Sequence, residues 1–209
     1  MASAILSNDP YNLIITGVGG QGNVLASRMV GDMLLQSGCF VTIGETFGAS
    51  QRGGSVMSHM RISAESYFSP QIPRGMAHMV VSLEPTEAIR VLKDYGNPQV
   101  KVISNTRPIY SIGVISGEQA YPLEKDIKNW TEELSQTVWF INATDAAMEL
   151  GNPIFGNIIA VGALSGTGVL PLDREIFRKV LEKKMTPERV EQNMAAYDMG
   201  VSMIDSQTT

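Results

Sequence analysis

Charge is scarce in this sequence. Asp, Glu, Lys and Arg make up 18% of its 209 residues, against roughly 25% in an ordinary soluble domain. The charges present sum to −5, and no basic run is longer than Lys183-Lys184. Nucleic acid is excluded as a main partner, because a phosphate backbone demands a basic stripe. No stretch of 18 apolar residues occurs, so no membrane span is expected. The start, MASAILSNDPYN, lacks the basic region and apolar core of a secretory signal, and a cytoplasmic location is expected. Cysteine is nearly absent. Cys39 is the one thiol, which rules out an internal disulfide and an iron–sulfur cluster, for which about four Cys are needed. The two histidines, His59 and His78, have no metal-ligand spacing around them, so no metal site is expected. Any redox chemistry must then run on a bound organic cofactor or on another chain.

What remains is a globular chain, 44% hydrophobic, long enough for a single domain over residues 1–209. A surface short of charge fits either a large core or cover by another chain. Asn12-Leu13-Ile14-Ile15-Thr16 reads as a buried strand ending at Gly17. Val24, Leu25, Met29, Val30, Met33 and Leu34 then recur at helical spacing up to a stop at Gly38. Phe40-Val41-Thr42-Ile43 is a second strand, ending near Glu45. This is a βαβ unit, which predicts an α/β, Rossmann-like, mostly parallel sheet flanked by helices.

Residues 44–55 lack periodicity, hold four glycines and read as a loop. Residues 56–62 alternate as a strand, with 63–66 placed to turn it back into Tyr67-Phe68. Further strands are expected at 79–83, 100–104 and 138–142. Glu84-Pro85-Thr86-Glu87 opens a helix with proline where its missing N–H costs nothing. Residues 107–122 read as a hairpin insertion or irregular excursion. The last third is helical: 154–164 carries Gly156 and Gly162 and should pack closely on a neighbour, Asp173 caps a helix over 174–185, and a final helix runs from Thr186 to about Met203.

Two glycine loops carry the chemistry. Gly17, Gly19 and Gly22 match G-x-G-x-x-G between a strand and a helix. In that setting exposed N–H groups at a helix N-terminus favour an anion, and the bland alternative is a tight turn that binds nothing. Gly20 and Gln21 complete the turn, with Gln21 placing an amide at the helix mouth. A dinucleotide reading also needs an acid about 20 residues on, and Glu45 qualifies. The second loop is Ser50, Gln51, Arg52, Gly53, Gly54 and Ser55, where a guanidinium suited to carboxylate or phosphate lies between flexible residues. Following a parallel strand, it should reach the same sheet edge as the first loop, unless it is only solvated surface. His59 is expected on a strand surface or interface, His78 as a capping or surface group, and Cys39 as a buried filler. No catalytic residue set stands out.

GVGGQG at 17–22, SQRGGSV at 50–56, YFSPQIPRG at 67–75 and SLEPTEAIR at 82–90 together resemble the gamma-type subunit or domain of 2-oxoacid:ferredoxin oxidoreductases. Of these, the sequence is most similar to the beta subunits specific for indolepyruvate. The likeness runs from about Asn12 to Met203, the core of a pyruvate/ketoisovalerate oxidoreductase gamma-type domain. It implies a non-cluster subunit of a hetero-oligomer, inactive alone. Thiamine diphosphate and iron–sulfur clusters would sit in partner subunits, ferredoxin or another acceptor would take electrons through the partner, and coenzyme A would be co-substrate. The two glycine loops would orient an anionic group on the coenzyme A and substrate side. His78 departs from the family pattern, which often has an acid there. Two other readings stay open: a stand-alone NAD(P)-binding oxidoreductase using Gly17–Gly22 and Glu45, and a non-catalytic interaction subunit.

Overall fold

The computed structural model describes residues 6–48 and 54–208. At its centre is a six-stranded sheet of order β2-β3-β1-β4-β5-β6. β1 (Tyr11–Val18) is buried at all eight positions, as expected of a strand covered on both faces. Its alternation sorts two cores. Leu13 and Ile15 join the larger cluster, which packs under α1 (Asn23–Gln36) and the C-terminal helices, while Ile14 points to the other face with Ile72, Val80, Val91 and Val102.

β1 pairs in parallel with β4 (Met79–Ser82), β4 with β5 (Lys101–Asn105), and β5 with β6 (Thr137–Ile141). The other half departs from the simple βαβ expectation. β2 (Phe40–Phe47) is parallel to β1 but does not touch it, because β3 (Ser55–Ser63) lies between them, antiparallel to both. The hairpin of the fold is therefore β2–β3. Strand pairing carries β2 to Phe47, so the loop expected over 44–55 shrinks. Its strand half was hidden by weak patterning, since β2 is an edge strand with no fully buried residue.

Tyr67-Phe68 do not return as a strand. Pro70 and Pro73, which cannot donate to a ladder, hold 66–74 irregular across the β2–β3 face. Pro70 lies where a Cβ on Gly44 would come within 2.9 Å, Arg61 sits over the Phe68 ring at 5.2 Å, and Ile72 is buried. This segment explains His59. The histidine is buried rather than displayed; its Nδ1 accepts from the Ile72 N–H at 3.4 Å and its ring meets Tyr95 edge-on at 5.0 Å. His78 is half-buried and caps the opposite end of the sheet, its Nδ1 accepting from Asn12 N–H at 2.9 Å. A carboxylate could fill that acceptor role equally. Cys39 is buried, and burial pushes its thiol up.

α2 (Pro85–Tyr95) and α4 (Glu124–Glu133) cover the second face. Between β5 and α4 the excursion is irregular apart from one helical turn, α3 (Ile112–Ile115). α5 (Ala143–Glu149), α6 (Gly156–Gly166), α7 (Arg174–Glu182) and α8 (Pro187–Thr208) form the helical third. Asp173 caps α7 as expected, accepting from the N–H groups of Glu175 and Ile176. The expected close approach of 154–164 is to α8: a Cβ on Gly162 would sit 2.0 Å from the Tyr197 carbonyl oxygen, and one on Gly200 2.0 Å from that of Ile159. Among the described residues no helix is long and apolar enough to cross a membrane.

Two outcomes follow from this packing. Gly162→Ala drives a methyl into backbone that cannot yield, and it is expected to cost about 3 kcal/mol or more, read as a drop in Tm of roughly 6–12 °C. Both histidines are held below the usual 6.5 by burial, His78 also by the charge of Arg61. Such groups protonate more readily in the unfolded chain. Stability is then full above about pH 6.5 and declines as pH falls through the window below it. Urea midpoints measured from pH 7 to 5 should fall, and His59→Asn should flatten part of the slope.

Candidate functional site

The carboxyl ends of the parallel strands meet at one edge, where ligands bind in open α/β sheets. Three helices begin there directly after a strand, α1, α2 and α5, and two of them have their first turns closed by their own side chains. Glu84 caps α2: its Oε2 accepts from Thr86 N–H at 2.8 Å, Thr86 hydroxyl at 2.6 Å and Glu87 N–H at 3.1 Å. Asn142 caps α5 through Asp145 N–H. α1 has no side-chain cap and no acid in its first turn, so the partial positive charge of its N-terminus stays uncompensated. Of the three, it is the one suited to an anion.

The glycine turn leads into α1 through two left-handed residues, Gly20 (φ 103°) and Gly22 (φ 82°). Gly22 is doubly constrained, since a Cβ there would meet the Asn157 amide at 2.1 Å. Gly17 leaves room for two amides, those of Gln21 and Asn23, each 2.6 Å from where its Cβ would be. Gln21 itself is turned inward. Its Oε1 accepts from Val18 N–H at 2.8 Å and its Nε2 donates to Leu83 O at 2.6 Å. One N–H and one lone pair of that amide remain for a ligand or partner.

Of the second loop, Gly54 and Ser55 lie at this edge. Gly19 N–H donates to Gly54 O at 2.9 Å, and Val18 pairs with Ser55 across the β1–β3 register. The Ser55 hydroxyl donates to Glu87 at 2.6 Å. Ser50, Gln51, Arg52 and Gly53 lie outside the described residues.

A pocket of about 440 Å³ opens beside the turn, lined by Gly19, Gly20 and Gln21 on one side and by Asn105, Thr144 and Asn157 on the other. The last three were not singled out from sequence. Asn105 had a usable signal, a polar residue closing the buried strand VISN. It donates to Leu83 O at 3.1 Å and to the Thr144 hydroxyl at 2.9 Å, and accepts from Ala143 N–H at 3.0 Å. Asn157 gave none, because it starts an apolar helix far along the chain. Its Oδ1 is buried and accepts no hydrogen bond among the described residues. None of the described residues lining the pocket is titratable. Such a surface can hold and orient a group, and it offers no general acid or base, so even the Thr144 hydroxyl has none in the lining to activate it as a nucleophile.

Glu45 does not fit the dinucleotide reading. β3 separates β2 from β1, so Glu45 stands about two inter-strand spacings, or ~10 Å, from the strand bearing the glycine turn, with its carboxylate 4.0 Å from Arg28.

The sequence profile of the pyruvate ferredoxin/flavodoxin oxidoreductase family matches residues 12–203. The chain belongs to this family. It is 38% identical over 192 residues to the indolepyruvate oxidoreductase subunit IorB of Pyrococcus horikoshii, covering 91% of this chain and 94% of that one. The corresponding subunit of Thermococcus kodakarensis is 36% identical with the same coverage. Among solved structures, pyruvate oxidoreductase subunit PORC of Thermotoga maritima shares the fold with a TM-score of 0.69 at 22% identity, covering 93% of this chain and 97% of that one. The 2-oxoglutarate:ferredoxin oxidoreductase of Magnetococcus marinus, solved with 2-oxoglutarate, coenzyme A and succinyl-CoA, shares it with a TM-score of 0.74 at 16% identity, covering 96% of this chain and 32% of that one. In this member of the family the glycine turn stands without an acid on the neighbouring strand.

Because Gln21 stitches two turns together, Gln21→Ala is expected to cost about 1–3 kcal/mol through the orphaned Val18 N–H. Urea denaturation reads the loss, and hydrogen exchange should show the Val18 amide deprotected while the core of β4 is unchanged.

Proposed function

We propose that this chain is the non-cluster subunit of a 2-oxoacid:ferredoxin oxidoreductase acting on indolepyruvate or a related arylpyruvate. The observation that carries the reading is the likeness to indolepyruvate oxidoreductase subunits over nearly their whole length, joined to a pocket with no titratable residue among those described in its lining. The partner subunits carry thiamine diphosphate and the iron–sulfur clusters, ferredoxin takes electrons from them, and coenzyme A is the acyl acceptor. Thiamine diphosphate, in the partner, supplies the carbanion chemistry of decarboxylation. A single cysteine is in keeping with that division, since a cluster needs about four.

This chain's own residues bind and orient. The uncapped N-terminus of α1, with Gly17, Gly19, Gly20, Gln21 and Gly22, favours an anionic group by its aligned N–H dipoles. The loop of Ser50, Gln51, Arg52, Gly53, Gly54 and Ser55 supplies, in Arg52, a guanidinium of the type that pairs with a carboxylate or phosphate. Asn157 Oδ1 offers an acceptor to a donor on the guest. Together they hold the coenzyme A and substrate side of the cavity and exclude water from it. We place the complex in the cytoplasm, where a lone buried thiol such as Cys39 stays reduced.

The purified chain should reduce no dye with any 2-oxoacid. Adding the thiamine subunit should restore activity, with indolepyruvate preferred to pyruvate and 2-oxoglutarate, and NAD(H) titration of the chain alone should show no saturation. Restored activity with no preference would remove the substrate assignment; no restoration would remove the whole reading. Within the complex, Arg52→Ala should raise the KM for coenzyme A roughly tenfold to a hundredfold, the loss of a charge-assisted hydrogen bond worth about 1.5–3 kcal/mol.

A further inference from the structure

The edge of the sheet opposite the glycine turn carries another open hollow, of about 560 Å³, within the size range of ligand sites. Tyr11 opens β1, His78 immediately precedes β4, Lys101 opens β5 and Gln136 immediately precedes β6, so the starts of four parallel strands line it. Thr167 and Gly168, just past the end of α6, line it as well. β1 is eight residues long, which at about 3.3 Å per residue sets the hollow ~25 Å from the glycine turn. Nothing in the proposed function uses it.

Two of its polar groups are donors without partners. Tyr11 is 3% exposed, and its hydroxyl has no hydrogen-bond partner among the described residues. A hydroxyl left so in a buried side chain costs free energy that a ligand can recover. His78 accepts from Asn12 N–H through Nδ1, which places the proton of the neutral ring on Nε2. Burial and the charge of Arg61 keep that ring neutral at pH 7. Nε2–H is therefore a fixed donor, and it too has no partner among the described residues. The Tyr11 and His78 rings lie 5.2 Å apart, so the two donors belong to one wall.

The charge of the hollow has one sign. Lys101 is the one ionised side chain among the described lining residues, and no carboxylate among the described residues pairs with it. The lining holds no Asp or Glu, in a chain whose net charge is −5. Asp9, close in sequence to Tyr11, turns its carboxylate elsewhere, accepting from Ala64 N–H at 2.9 Å. A helix C-terminus would oppose an anion, but the last turn of α6 is closed from within. Ala163 O accepts from Thr167 N–H at 3.2 Å, Ser165 O from Gly168 N–H at 3.0 Å and Leu164 O from the Thr167 hydroxyl at 2.6 Å. An ammonium, a phenol and an imidazole N–H, with no acid to compete, are the donor set of an oxyanion site.

We infer that this hollow binds the oxyanion, carboxylate or phosphoryl, of a small hydrophilic molecule, held by Lys101, the Tyr11 hydroxyl and His78 Nε2–H. The inference is independent of the function proposed above, and its test needs no turnover. The full chain is titrated with inorganic phosphate and with acetate, chloride keeping the ionic strength constant, and followed by NMR of the histidine rings. The chain has two histidines. The His78 signal should move saturably, while that of His59, buried beneath residues 66–74, stays fixed. Saturation by phosphate alone assigns a phosphoryl group, by acetate alone a carboxylate, and by both the oxyanion they share. Lys101→Met should weaken binding roughly tenfold or more and Tyr11→Phe several-fold, each through loss of one charge-assisted hydrogen bond. Tyr11→Phe removes an atom with no partner among the described residues, so it tests binding without disturbing the packing of the ring. Lys125→Met alters an exposed lysine in the first turn of α4, at the opposite edge, and should bind as the wild type does. No saturable movement of His78 with either anion would overturn the inference. Equal affinity in Lys101→Met, Tyr11→Phe and the wild type would do the same, as would an equal loss in the Lys125→Met control.

Discussion

The carbonyl oxygen of Leu83 accepts two side-chain amides, Gln21 at 2.6 Å and Asn105 at 3.1 Å. Three strand ends are tied at that atom: β1 through the glycine turn, β4 through Leu83 itself, and β5 through Asn105. Asn105 passes the connection on to β6 by accepting from Ala143 N–H. A polar seam of this kind is rigid when every member is satisfied and costly when one is not. It sets the distance between the open N-terminus of α1 and the amides of the opposite pocket wall. The pocket inherits its shape from the seam.

Next to that seam, Glu84 solves a second problem. A helix N-terminus facing the same edge would compete for any anion that α1 attracts. By capping α2 with its own carboxylate, the chain removes the competitor, and it uses the spare oxygen to hold the 107–122 excursion in place. One buried acid thus closes the N-terminus of α2 and braces the excursion. The pocket has no ionisable lining among the described residues, in keeping with the role proposed for this chain.

Much of this was legible beforehand, unevenly. The buried strands announced themselves because a strand covered on both faces is a continuous apolar run, and β1, β4 and β5 all are. Helix limits at Gly38, Pro85 and Asp173 followed from capping chemistry, which is local. β2 past Ile43 was not legible, because an edge strand with half-exposed residues lacks a pattern. His59 was misplaced for a related reason: alternation names the two faces of a strand, and it does not say that residues 66–74 return to bury the outer one. Gln21, Gly19 and Gly54 were found as types of residue in suggestive places; that Gln21 spends most of its amide on the chain itself was not visible.

By itself, the sequence determined the α/β class, the family and the two glycine loops, since strand burial, helix capping and motif order are written in neighbouring residues. Only the tertiary structure decided that β3 enters between β1 and β2, separating Glu45 from the glycine turn. It alone brought Asn105, Thr144 and Asn157 to face that turn from positions more than 80 residues away. Strand order and pocket walls arise from pairing and packing between distant segments, and no local pattern records which distant segment a backbone edge will choose.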